Sequence, residues 1–582
     1  MKNTSFTTQT TGHVNDNYAS LIMSECDAFQ HDENAKLIHY KDLPKEFPER
    51  TYTLEEYSEL TTGELPICLM RDENNQLNVV TTPPTHALVI GATGSGKTQS
   101  ISMPFAELMS KSKKGASMVI TDPKKEIYYT TAPTFRDQGY NIKVIDFTNF
   151  KSTDRWNPLT PIYRSYRKLV EVKKSVKVTE IDGVFYNEFN GKIYKSQAEL
   201  DCAISIEEYN HSSEVDARID AITDLVCTVD DAKKDEWAEG AKAIFKGYIY
   251  AMLEDTDPND RKYPLVTEEN FSLDTLINLF DSLDGSGSDC DNGYFSDRDH
   301  QNSRAYKMVS STLLIAAKET SCGYISVLAS YLSKFRDAAI RQITCANSFD
   351  FEEFDDGKTP TVIYLIFRDE TSAYDSIIGL FLAELYRALV NMIRKKDANR
   401  KHPFYFILDE FGNLPAFPDF DRVTSLGRAR NIWFWVILQS YAQLEEVYKK
   451  KATTIKNNLT THIFLGTNDY DTKYSFAKEC GQHTVISSSS ILYGSERTIH
   501  SFNKETVGLV PVSNLSHLPP SECIITGMNT DAIWSRFERH YTCPEFNTDR
   551  EPYIHHETFD LGNPKHSYEI KKRKRNRFDF NF

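Results

Sequence analysis

The chain has 582 residues and a mass of 66.7 kDa, with 40% hydrophobic residues, too long for one ordinary core and apolar enough to bury several. No run approaches the ~18 consecutive apolar residues of a membrane span, and the polar start MKNTSFTTQTTGHVNDNYAS has no apolar signal core, so a cytoplasmic location is expected. The net charge of −16 is local: residues 201–300 hold 25 acidic and 8 basic side chains, a net of −17, so the near-neutral remainder can still carry a basic channel for a phosphate backbone.

Residues 1–80 are polar and mixed and read as an extension without transmembrane helices. From 81 to 158 apolar runs of strand length follow: THALVI, ASMVITD and NIKVIDF, with helical segments between them. Strand, helix, strand predicts a parallel sheet with helices on both faces. After Trp156-Asn157-Pro158 the rhythm breaks, and residues 159–350 read as an inserted, mostly helical unit. Its helix candidates are DARIDAITDLVCTV, EWAEGAKAIFKGYIYAML and YISVLASYLSKFRDAAIRQI; VFYNEFNGKIY predicts a hairpin turning at Asn190-Gly191. DSLDGSGSDCDNG lacks the ligand spacing of an EF-hand and reads as a solvated acidic loop. Over 351–548 the strands return as TVIYLIF, FYFILDE, IWFWVILQ, THIFLGT and ECIITGM, rich in β-branched and aromatic residues. The segment 549–582 is a tail with the basic run KKRKRNRF. The ten cysteines show no CxxC pair and no zinc spacing, and read as reduced thiols.

Gly91-Ala92-Thr93-Gly94-Ser95-Gly96-Lys97-Thr98 matches GxxxxGK[ST]. Its glycines let backbone N–H groups face phosphate, and the following helix adds its positive end. Lys97 would reach the β- and γ-phosphates of ATP, and Thr98 would offer its hydroxyl to Mg²⁺. The metal also needs a carboxylate on a neighbouring strand. FYFIL ends in Asp409-Glu410, which puts Asp409 on Mg²⁺ and Glu410 beside the attacking water. Gln439, ending the next strand, can contact the γ-phosphate. Arg428 or Arg430 in GRAR can reach a neighbouring subunit's ATP as an arginine finger.

In order and spacing, GATGSGKT, TDPKKEIY, WNPL, FILDEFGNLP, GRARNIWFWVILQSYAQL and LGTNDYDT resemble the type IV coupling proteins of conjugative DNA transfer, the TraG-like ATPases. The resemblance spans about 85–545. It implies a RecA-like P-loop NTPase domain interrupted by an all-α domain, working as a homo-hexamer. It implies a motor that links relaxase-bound single-stranded DNA to a type IV secretion channel. It also puts the finger at Arg428 and the γ-phosphate glutamine at Gln439, while Asp122 and Glu126 match a family block without an assigned role. Family members begin with transmembrane helices; without such a segment in 1–80, membrane association is expected to be indirect, through a separate protein at the inner face of the cell membrane. The acidic insertion suits a basic relaxase or accessory protein. Three other readings use the same core: a double-stranded DNA translocase of the chromosome-segregation type, an NTP-binding scaffold without turnover, and a protein-secretion ATPase.

Overall fold

The structure, a computed structural model, describes residues 35–555 apart from 61–63, 114, 150–151, 175–177, 182–183, 188–190, 228–234, 259–262, 284–293, 356–358, 369, 371–373, 397–401, 494–496, 528–529 and 547–549. The turn residue Asn190, most of the acidic loop 281–293 and the basic run 571–578 lie outside the described residues.

The centre is a ten-stranded sheet, whose strands we number in chain order: β1 (Leu37–His39), β2 (Ala87–Gly91), β3 (Ser117–Asp122), β4 (Asn141–Asp146), β5 (Thr361–Ile366), β6 (Phe404–Leu408), β7 (Ile432–Leu438), β8 (Thr461–Gly466), β9 (Glu522–Thr526) and β10 (Ala532–Arg536). Their spatial order is β1-β10-β9-β8-β2-β7-β6-β3-β5-β4. Every pairing is parallel except those of β9 with β8 and β10. This is the RecA-like α/β arrangement expected. All five residues of β2 are buried: Leu88 and Ile90 enter one core, Ala87 and Val89 the other. A strand covered on both faces reads as a continuous apolar run, which is why these strands are legible in the sequence.

One core runs without a break into the inserted helices, through Ile219, Ile222, Tyr248 and Phe280. DARIDAITDLVCTV proves to belong mostly to a 30-residue helix, Gln197–Val226. The long candidate YISVLASYLSKFRDAAIRQI is broken: a 3-10 turn at Lys334–Arg336 separates helices Lys318–Ser333 and Ala338–Thr344. Asp337 enforces the break by accepting the amides of Ala339 and Ile340 at 2.9 and 3.3 Å, a side-chain cap that competes with helix continuation. The hairpin pairs Tyr194 with Phe185 and Ile193 with Tyr186.

Two segments carry more regular structure than their composition suggests. Within 35–82, the strands Thr51–Thr53, Leu65–Arg71 and Leu77–Thr82 form a three-stranded sheet over the second core, so these residues pack as part of the fold. The apolar run in LPICLMR is short and flanked by polar stretches, which hides it. Gln482–Tyr493 and Arg497–Gly508 pair with each other as a long antiparallel hairpin; the serines of the first strand mask its β signal. Among the described residues one helix, Asp375–Ile393, is long and apolar enough to cross a membrane, and 78% of that stretch is buried inside the fold.

Candidate phosphate-binding site

β2 ends at Gly91, where the chain turns into the glycine loop. A methyl group on Gly91 would lie 2.7 Å from Lys97 Cγ, so only glycine leaves the lysine room to fold back. Gly94 and Gly96 adopt φ of +83° and +92°, a conformation costly for residues with a Cβ. The Ala92 amide donates to Gly466 O at 2.7 Å, which ties the loop to the end of β8. Lys97–Ser102 then forms a wide π-helical turn before helix Met103–Lys111. Pro104 has no N–H to send to Ser100 O, so the tighter α-helical turn lacks one of its bonds there.

Lys97 is buried, and Nζ donates to Gly91 O at 2.7 Å. The nearest carboxylate oxygen, Glu410 Oε1, stands 3.9 Å away. Burial lowers the Lys97 pKa, and the charges of Glu410 and Asp409 only partly restore it. Thr98 Oγ1 donates to Asp409 Oδ2 at 3.3 Å. Asp409 is buried, and burial, reinforced by the Glu410 charge, pushes its pKa up to about 6. Glu410 takes φ +52°, left-handed for a non-glycine residue, and such strain concentrates at functional sites. Its Oε2 accepts from Gln439 Nε2 at 3.2 Å. Gln439 therefore touches the carboxylate expected beside the water. β2, β6 and β7 thus bring Lys97, Thr98, Asp409, Glu410 and Gln439 to one carboxyl edge.

Arg428 and Arg430 lie elsewhere. They precede β7, which runs parallel to β2 with Leu438 beside Ile90, so the seven residues of β7 stand between them and the loop. That is about 20 Å of strand. Arg428 is exposed, and Arg430 donates to Tyr386 OH at 2.8 Å. Within one chain neither arginine reaches the loop. Asp122 is buried at the end of β3, with its pKa pushed up to about 7 mainly by burial. Its Oδ2 accepts the Tyr128 amide at 2.7 Å, so it caps the helix Glu126–Asp137, in whose first turn Glu126 sits.

Three neighbours of the site escape the motif reading. Thr121 Oγ1 donates to Asp409 O at 2.8 Å, Thr467 Oγ1 to Gln439 O at 2.8 Å, and Gln443 Oε1 accepts the Gln439 amide at 2.8 Å. Thr121 and Thr467 sit in the TDPKKEIY and LGTNDYDT blocks, which are visible in the sequence but have no geometry there to give them roles.

The residues fit a magnesium nucleotide. Ser95 Oγ, Gln99 Oε1 and Ser100 Oγ are buried around the loop without hydrogen-bond partners, and buried polar atoms of this kind ordinarily find one. The Thr98 hydroxyl and Asp409 carboxylate form a hard oxygen pair of the type Mg²⁺ takes.

Comparison with known proteins gives the family and the fold. Part of the chain is 27% identical over 145 residues to the conjugal transfer protein TraG of Agrobacterium fabrum, covering 25% of this chain. The match spans only about a fifth of the length of the curated relatives, 21% in TraG. The unbound bacterial conjugative coupling protein TrwB superposes with a TM-score of 0.52 at 15% identity, covering 79% of this chain and 87% of that one. TrwB in complex with ADP and Mg²⁺ superposes at 0.50 with 16% identity, covering 82% and 90%. Residues 41–559 match the family described as Type IV secretory system Conjugative DNA transfer, and the chain belongs to that family.

Proposed function

We propose that the chain is an ATP-hydrolysing coupling protein of conjugative DNA transfer. The observation that carries the reading is the convergence of the Lys97 amine, the Thr98–Asp409 oxygen pair and the Glu410–Gln439 pair around one glycine loop. A relative of the same fold, TrwB, is described with ADP and Mg²⁺, which supports the same ligands here.

In this reading the loop amides of Gly91–Thr98 hold the phosphates, and the Lys97 ammonium leaves Gly91 O to meet the terminal ones. Thr98 and Asp409 hold Mg²⁺, which supplies positive charge against the triphosphate. Burial and the Glu410 charge hold the Asp409 carboxyl above its usual range, and a metal cation there would favour its ionised form. Glu410 orients the attacking water and takes its proton, while Gln439 fixes the rotamer of Glu410 and contacts the γ-phosphate. Arg428 stands at the far edge of its own sheet, so as a finger it serves a neighbouring subunit's nucleotide, in keeping with a homo-hexamer. Such an arginine is worth about 10³–10⁵ in rate.

The substrate is DNA, single-stranded and attached to a relaxase, delivered to a type IV secretion channel at the inner face of the cell membrane. The helical insertion grips the protein partner. On helix Gln197–Val226, Ile206 and Tyr209 are 55% and 73% exposed among Asp201, Glu207 and Glu208, an apolar patch with an acidic rim suited to a basic protein.

The test is ATPase activity of the purified chain with and without single- and double-stranded DNA. Turnover stimulated by single strands and lost in Lys97→Ala is expected. Wild-type turnover in Lys97→Ala refutes the phosphate role, and equal stimulation by duplex favours a double-stranded translocase.

A further inference from the structure

We infer that Arg539 is a nucleotide-binding residue of this site, standing on the nucleoside side and contacting the α-phosphate. The inference rests on the nucleotide reading above and adds a contact 442 residues beyond Lys97 in a segment without any motif.

The sheet topology brings Arg539 there. β9 runs antiparallel to both β8 and β10, so β10 points the same way as β2, and its carboxyl end opens on the edge that carries the glycine loop. The chain then turns back onto the fold. Phe537 N donates to Ser521 O at 2.8 Å and Glu538 N to Leu69 O at 3.0 Å, and a 3-10 turn follows at His540–Thr542.

Buried anchors hold that turn. His540 is 2% exposed, and its Nε2 lies 3.1 Å from Glu107 Oε1, on the helix that follows the loop. The His540 ring stacks on Phe546 at 5.3 Å, and Glu545 pairs with Arg71 at 2.9 Å. The backbone at 539 is therefore pre-set, and ordering it on binding costs little.

The side chain is the part left open. A methyl group on Gly96 would lie 3.9 Å from Arg539 Nε and 3.5 Å from Ser100 Oγ. Both of those atoms are buried without a hydrogen-bond partner. Nη1 donates to Tyr541 OH at 2.9 Å, which braces the guanidinium. Among the described residues no carboxylate pairs with Arg539, unlike its neighbour Arg536, which is paired with Glu538 at 2.9 Å. An unpaired guanidinium over a glycine of a phosphate loop has one natural counter-charge, a phosphate oxygen.

Strand order decides which phosphate. β2 lies between β7 and β8. Gln439, Asp409 and Glu410, which define the terminal-phosphate end, follow β7 and β6 on one side. β8, β9 and β10 lie on the other. A triphosphate with its γ end toward Glu410 therefore has its α-phosphate and sugar on the side from which Arg539 approaches.

The experiment measures binding of Mg²⁺–ADP and of a Mg²⁺-bound non-hydrolysable ATP analogue to the full chain by calorimetry, for wild type, Arg539→Gln and Arg539→Lys. Arg539→Gln should weaken both nucleotides by about tenfold or more, since each has an α-phosphate, and Arg539→Lys should recover part of the loss. The KM for ATP should rise with kcat held within about twofold, and the unfolding midpoint should stay unchanged. Unchanged affinity in Arg539→Gln, with binding abolished in Lys97→Ala, overturns the contact. A loss confined to the ATP analogue places the arginine on the γ-phosphate and overturns the assignment. A wild-type chain that binds neither nucleotide overturns the nucleotide reading itself, and this inference with it.

Discussion

The helical insertion and the glycine loop both bury charge, and they treat it in opposite ways. In the insertion, Arg298 donates to both Asp255 oxygens at 2.9 and 3.0 Å and to Glu254 at 3.1 Å, with its guanidinium over the rings of Tyr263 and Tyr294. Its pKa rises, because the surrounding acids hold its proton despite burial. At the loop, Lys97 has carbonyls for partners and a carboxylate no nearer than 3.9 Å, and its pKa falls. Asp409 is driven up to about 6 beside it. A closed set of counter-charges is finished structure; an open set with shifted pKa values is a place for a ligand. Bases outside the segment offset part of the insertion's acidity, as in Asp216–Arg304 and Glu268–Arg164, so the −17 of residues 201–300 overstates the field a partner meets.

The sharpest way to break this contrast is Glu410→Gln. It keeps shape and the Gln439 contact but cannot take a proton. Turnover should fall by about 10²–10⁴-fold while nucleotide affinity changes little. Steady-state ATPase beside nucleotide binding checks this, and normal hydrolysis would mean that another base acts at the loop.

Arg298→Ala probes the other side of the contrast. It strips Asp255 and Glu254 of their counter-charge in the interior and should cost about 3–5 kcal/mol of stability, read by urea unfolding. Nucleotide affinity of the folded fraction should stay within about twofold. If affinity collapses while stability holds, the two sets of charge are not separate in role.

His86 offers a third treatment, burial as the neutral form. It lies at the start of β2, its Nδ1 accepts the Phe434 amide at 3.0 Å, and burial, aided by the nearby Arg428 charge, lowers its pKa from 6.5 to about 4. Between those two values the unfolded chain binds more protons than the folded one. Stability present above pH 6.5 is therefore lost as the pH falls toward 4, by about 2–3 kcal/mol. Urea unfolding across that window should show the slope in wild type, and His86→Asn, which keeps an acceptor but does not titrate, should lack it. An equal slope in both would assign the acid sensitivity to other groups.

Much of the site is legible in the amino-acid sequence alone. GATGSGKT announces a phosphate loop because its glycines and lysine act within eight residues, and the strand leading to Asp409-Glu410 is apolar enough to name itself. Helix ends are less legible, since the break at Lys334–Arg336 depends on one aspartate cap inside an otherwise periodic stretch. The serine-rich hairpin and the strands within 35–82 carry too weak an apolar signal.

Element type, the order of the motifs and the identity of the phosphate loop follow from local sequence, because propensity, periodicity and short turns act over a few residues. Strand neighbours do not, because pairing joins residues hundreds of positions apart through backbone bonds that any side chain permits. Only the assembled sheet puts Arg428 on the edge away from its own loop, seats Thr121 and Thr467 behind Asp409 and Gln439, and turns β10 so that Arg539 stands over Gly96.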